Sequence, residues 1–211
     1  MPTTLSERTF LAQAMFGTTS TSQPVPNARI TAQAIDDQLQ PGQLALITGP
    51  SGAGKTTVLR ELARQLRARG HTALMLDTSQ LPDDKPVIDS LNAPLATTLS
   101  LLATCGLADA TVLETPVRHL SAGQRWRLAL AATLRQTKPG HHTTLLIDEL
   151  GSTLDATTAR CICRTLRRFI QPRPIRAICA THDHTLMEYL APSILAVQPL
   201  HGPAILSTRK P

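Results

Sequence analysis

The chain is poor in aromatic side chains. Phenylalanine, tryptophan and tyrosine make up 2% of its 211 residues, at Phe10, Phe16, Trp126, Phe169 and Tyr189. That leaves little for a base-stacking platform and argues against recognition of single strands through aromatics. No run of about eighteen apolar residues occurs, so no membrane-spanning helix is expected. The opening MPTTLSERTFLAQAMFG lacks a continuous apolar core, which argues against a secretory signal and makes the cytoplasm the expected compartment. The four cysteines never take C-x-x-C spacing. Cys161 and Cys163 would leave a helix on different sides, so they, Cys105 and Cys179 read as packing residues rather than metal ligands. Acids are also scarce, 15 against 21 lysines and arginines. The net charge of +6 suits an anionic partner.

What is present is a 42% apolar chain, enough for one domain with a real core. Its organising stretch is GPSGAGKT, Gly49 to Thr56, placed between the apolar run Leu44–Ile47 and a long helical pattern. This is the G-x-x-x-x-G-K-T phosphate cradle. Gly49, Gly52 and Gly54 permit turns that a β-carbon resists, so the loop, which holds Pro50, Ser51 and Ala53 and leads on to Thr57, turns its N–H groups toward one anionic point. The following helix aims its positive end there. Lys55 adds a full charge, and the Thr56 hydroxyl is placed for Mg²⁺.

Upstream, residues 5–16 have amphipathic helical spacing, residues 18–27 read as a linker, and Ile30 to Ile35 as a strand. Downstream, Lys55 to Arg69 reads as a helix closed by Gly70. Strands are expected at 74–76, 144–147, 176–180 and 194–197, and helices over much of 86–109 and at 121–136, 156–170 and 185–190. Residues 1–27 form an extension and linker, 28–200 the domain, and 201–211 a loose tail. Alternating strands and helices imply an α/β fold with a mostly parallel sheet. Gly49, Gln80, Glu149 and His182 each follow an expected strand, where such sheets bind ligands.

Partner residues narrow the reading. LLIDE, residues 145–149, ends an apolar strand in two acids. Asp148 is placed to hold Mg²⁺ through water, and Glu149 to polarise an attacking water. In HLSAGQRWRLALA, residues 119–131, Ser121 reads as a helix N-cap with Gln124 completing a capping box. Such a helix start can receive phosphate. One subunit's phosphate already has the helix end after Gly54, so two anion sites make sense if different subunits sandwich one nucleotide.

At this point the sequence resembles the ATP-binding cassette ATPase superfamily, over roughly residues 28–198. Leu120, Ser121, Ala122, Gly123 and Gln124 resemble its signature motif. Gln80 resembles its Q-loop glutamine, Asp148 to Asp155 its Walker B and D-loop, and His182 its switch histidine. The resemblance implies a P-loop fold with a small antiparallel β element and a compact helical subdomain at about 82–136. It implies a homodimer that closes over two ATP molecules, each held between the Walker loop of one subunit and the signature of the other. Glu149 would position water, His182 would contact the γ-phosphate, and Gln80 would sense Mg²⁺ beside Thr56 and Asp148. Lys55 would serve catalysis, and Ser152 and Asp155 would couple the two sites.

Three departures stand out. No aromatic residue for stacking on adenine precedes the Walker loop closely; Phe16 is the better candidate and Phe10 the other. Leu150 replaces the usual proline. Residues 137–142 lengthen the connection to the Walker B strand. Within the superfamily, AMFG, PGQLALITGPSG, VIDSL, GLADA, LSAGQR, DELGSTLDATTA, ATHDHTL and LAPSILAV resemble small non-transporter cassette ATPases of bacteria and phages, some of them fused to acetyltransferase domains. No acetyltransferase segment is expected here. LSAGQ with RLALA also resembles the cassette subunit of haem-type exporters, which implies a membrane partner instead. A nucleotide-gated scaffold with weak turnover is a third class. Two arginine-rich faces bear on the choice: Arg60, Arg64, Arg67 and Arg69, and Arg160, Arg164, Arg167, Arg168, Arg173 and Arg176. They are either solvated helix surface or a track for nucleic-acid phosphates.

Overall fold

The structure is a computed structural model, and it describes residues 26–137, 143–200 and 204–208. The expected helix at 5–16, Phe10, Phe16 and all but the first residue of the lengthened connection at 137–142 lie outside the described residues.

The first described element is a helix, α1 (Pro26–Gln38), where a linker and a strand at Ile30–Ile35 were expected. Ala28, Ala32, Ile35 and Leu39 are buried at helical spacing while Ile30 is exposed. Pro26 occupies the first turn, where its missing N–H costs nothing and its fixed φ favours the helix. The buried face of α1 covers the sheet beside α2 (Lys55–Ala68), which closes through Gly70. Gly70 N donates to Arg67 O and His71 N to Leu66 O, a paired C-terminal lock that needs the left-handed φ of +77° at Gly70.

The sheet runs β2 (Thr72–Met75), β3 (Thr143–Ile147), β4 (Ile175–Thr181), β1 (Leu44–Thr48), β5 (Ile194–Val197), β6 (Ile205–Thr208). The first five are parallel; β6 pairs antiparallel with β5 and is the small antiparallel element. Its presence corrects the expectation of a loose tail, since Leu206 packs against the α1 side of the core. Every residue of β3 is buried, as a parallel strand covered on both faces requires. Ala45, Ile47, Leu146, Ile178 and Ala180 face α1 and α2. Leu44, Leu46, Leu145, Ala177 and Cys179 face the opposite layer.

That layer holds α6 (Ala156–Ile170), α7 (Leu186–Leu190) and the helical subdomain. The subdomain comprises α3 (Leu95–Thr104), α4 (Ala110–Glu114), two single 3₁₀ turns and α5 (Ala122–Arg135). Three arginines of α5 fasten it: Arg125 pairs with Asp83, Arg127 donates to Gly106 O, and Arg135 donates to Asn92 O. Cys105, Cys163 and Cys179 are buried packing residues, while Cys161 is exposed. Burial pushes the Cys105 thiol up to about 12.

Candidate functional site

β1 ends at Thr48 and the chain turns at once into the phosphate loop. Gly49 sits at φ +148°, and a β-carbon there would lie 2.1 Å from Gln198 O. Gln198 N donates to Thr48 O at 2.7 Å, so the loop after β5 presses on the first residue of the cradle. Lys55 Nζ donates to the carbonyls of Gly49 and Pro50, 2.8 Å each. The ammonium thereby spans the loop and gives it one shape, with Ala53 buried beneath and its N–H on Pro50 O. Gly54, at φ +86°, leads into the first turn of α2.

A cleft of about 320 Å³ opens over this loop. Ser51, Gly52, Gly54, Lys55, Thr56 and Thr57 form one wall. Asp148 and Glu149, after β3, and Thr181 and His182, at the end of β4, form the other. Residues more than 120 positions apart in sequence thus face one space because β1, β3 and β4 are neighbours. Glu149 takes the left-handed φ of +49°, a strained state for a non-glycine residue that aims its exposed carboxylate from the turn. Its N–H donates to Asp148 Oδ1 at 3.0 Å. Thr56 and Asp148 therefore supply a hydroxyl and a carboxylate to the same space, a hard oxygen set that fits Mg²⁺ alongside phosphate oxygens.

Gln80 does not line this cleft. It ends the 3₁₀ turn after β2, exposed to solvent. Nor does the Leu120–Gln124 stretch. Leu120 packs on the core, and Ser121 caps α5 in the expected reciprocal box: Ser121 Oγ accepts from Gln124 N at 3.2 Å, and Gln124 Oε1 accepts from Ser121 N at 2.9 Å. Ala122 instead borders a neighbouring hollow of about 370 Å³, with Trp126, Ser152 and Thr153. Asp148 and Glu149 form the partition, since they line both spaces. Gly123 lies tight on the same turn, where a β-carbon would approach Thr153 O to 2.9 Å. Ser152 N donates to Glu149 O at 3.0 Å. Asp155 caps α6; the Thr158 side chain, then its N–H at 3.0 Å, holds that carboxyl below its usual range.

Two features escaped the sequence reading. Thr181, which stands next to His182 and belongs to no motif of its own, is buried and lines the cleft. The Gly123–Thr153 contact joins two motifs that look separate in sequence. The arginine faces also change character. Arg69 and Arg176 pair with buried Asp36, and Arg64 with Glu61. Arg67 donates to Ala73 O, Arg160 and Arg164 lie over the Tyr189 ring, and Arg173 over Phe169. All of these arginines except Arg176 are also exposed, and among the described residues Arg60, Arg167 and Arg168 are exposed without such an ion pair, hydrogen bond or ring contact.

Residues 29–178 match the model of the AAA ATPase domain family. An aliphatic sulfonates import ATP-binding protein of Delftia acidovorans is 33% identical over 184 residues, 79% of this chain and 74% of that protein. The chain belongs to the ATP-binding cassette ATPase family. It is accordingly an ATPase. A probable iron export ATP-binding protein of Escherichia coli K12 is 27% identical, over 80% of this cassette and 84% of the relative. The fold matches a dimeric ATP-binding cassette in a post-hydrolysis state with ADP and phosphate: TM-score 0.66, 17% identity, 81% of this chain and 87% of that one. It also matches a bacterial Atm1-family exporter with ATP bound, at TM-score 0.65 and 22% identity, over 79% of this chain and 34% of that one. Among the described residues, no helix is long and apolar enough to cross a membrane.

Proposed function

We propose that the cassette hydrolyses Mg²⁺-bound ATP as a head-to-tail homodimer and supplies that energy to a membrane-embedded transport partner. The observation that carries the dimer is the separation of the two anion-binding turns. The phosphate loop, Asp148, Glu149 and His182 share one cleft, while the Ser121 turn stands outside it and exposed. A second copy that rotates its Ser121 turn over the first copy's phosphates completes both sites, as two-fold symmetry requires.

Each residue then has a physical task. Lys55 exchanges its two carbonyl acceptors for phosphate oxygens, a stronger charge-assisted bond. Thr56 and Asp148 would hold Mg²⁺, which would neutralise charge on the outer phosphates. Glu149 orients the attacking water, and His182 contacts the γ-phosphate from the end of β4. Gln80, outside the cleft, reaches it by a movement of the turn after β2 and reports nucleotide to the helical subdomain. Ser152 and Asp155 link the sites across the dimer. Catalysis is positioning and electrostatics, without a covalent intermediate.

The membrane partner is supported by the relatives, whose names describe import and export ATP-binding proteins. A nucleic-acid client draws less support, because most of the arginines that suggested it are paired or stacked within the fold.

A mixing experiment tests the composite site. Lys55→Ala and Ser121→Glu are each expected to be inactive. Mixed one to one, half the dimers carry one intact site, and turnover should return to about a quarter of the wild-type rate. No recovery on mixing would contradict the shared site.

A further inference from the structure

The described residues place no aromatic side chain where a nucleotide base could stack. Trp126 is 5% exposed in the core, Phe169 lies under Arg173, and Tyr189 lies under Arg160 and Arg164. Yet beyond the residues that line the phosphate cleft, the strand pair whose Gln198 crowds Gly49 carries an uncovered apolar surface. Val197, Leu200 and Ile205 are 39%, 59% and 67% exposed. Val197 and Ile205 are directly opposed across the β5–β6 pair, so their side chains lie on one face. Strand alternation puts that face opposite the one Ala196 buries against α1 and α2. All three lie at the end of the sheet where the phosphate loop opens: Gln198, next to Val197, is the residue whose carbonyl crowds Gly49.

The side of the sheet is decisive. Asp148, Glu149 and His182 follow β3 and β4, which lie on one side of β1. A triphosphate whose γ end meets these groups extends toward the other side of β1, where β5 and β6 lie. Resting on the phosphate-cleft reading above, we infer that Val197, Leu200 and Ile205 form an aliphatic platform for the adenine ring of bound ATP. The flat ring covers apolar surface that water otherwise meets, and the press of Gln198 on Gly49 holds platform and phosphate loop in register. Selectivity for the base then comes from contact area, because these side chains carry no hydrogen-bonding group.

The test compares ATP with inorganic tripolyphosphate, which has the charge but no base, by calorimetric titration. The double variant Leu200→Ser with Ile205→Ser changes exposed positions only, so the fold is retained, and circular dichroism checks this. ATP should bind about fivefold to tenfold more weakly while tripolyphosphate stays within about twofold of wild type. Unchanged ATP affinity overturns the platform, and so does a parallel loss of both ligands. Lys55→Ala is the control for the cleft itself and should weaken both ligands. If it weakens neither, the cleft reading falls and the platform with it.

Discussion

The buried hydroxyl of Thr181 donates a 2.8 Å hydrogen bond to the carbonyl of Leu150. The same oxygen accepts from Asp183 N at 3.1 Å, and Leu150 N donates to Ala180 O at 2.8 Å. The strained turn that carries Glu149 is thereby pinned to the strand end that carries His182. Thr181→Val keeps the shape and deletes the donor, leaving a buried carbonyl short of a partner. Turnover should fall about tenfold with KM for ATP changed less than about twofold, the split expected when a catalytic group is misplaced. Thr181→Ser should retain near-normal turnover. Steady-state kinetics of the two variants decide it.

Gly123 has no room for a β-carbon, which would sit 2.9 Å from Thr153 O. Gly123→Ala must displace either the first turn of α5 or the turn after Glu149. A loss of about 1–3 kcal/mol in stability is expected from such overpacking. Turnover should fall as well, because both displaced turns adjoin Glu149. Denaturant melts and ATPase assays together check this.

Asp36 is a buried carboxylate between Arg69 on the α2 side and Arg176 of β4. Asp36→Ala leaves Arg176, whose side chain is only 13% exposed, without its counter-charge. Destabilisation of about 3–5 kcal/mol is expected. Arg69→Ala should cost less, since Arg69 is 44% exposed and Arg176 still serves Asp36. Calorimetric melts would rank the two.

Glu61 is held down at about 2, chiefly by the hydrogen bond from Arg64, against the cost of burial. A depressed folded-state value means the charged form favours folding. Its contribution is present above about pH 4.5 and is lost as pH falls toward about 2. Arg64 is 58% exposed, so solvent screening limits the contribution to about 1 kcal/mol. Glu61→Gln should flatten the acid limb of a stability-versus-pH curve and leave the curve above pH 6 parallel to that of the wild type.

The sites were more legible in the sequence than the edges of the fold. The turns of the phosphate loop and the Ser121 capping box are set by local backbone chemistry and take the expected geometry, whereas the strained turn at Glu149 is held by the tertiary contact from Thr181. Helix α1 was misread because Ile30, Thr31 and Ile35 favour a strand locally. The deciding signal is the buried spacing Ala28–Ala32–Ile35–Leu39, in a helix whose first residues, Pro26 and Asn27, end a Pro- and Ser-rich stretch. Strand β6 was missed for a related reason. Four residues with one half-buried side chain, Leu206, carry little pattern until β5 offers an edge. Thr181 and the Gly123–Thr153 contact depend on tertiary neighbours and leave no periodic trace.

The central claim is that ATP draws two copies together. Glu149→Gln should keep ATP bound without turnover, because the side chain retains its size but loses the charge that orients water. Light scattering with Mg²⁺ and ATP should then report about twice the 22.7 kDa chain mass, and the chain mass alone with ADP. A Glu149→Gln protein that stays at 22.7 kDa under saturating ATP would contradict the account.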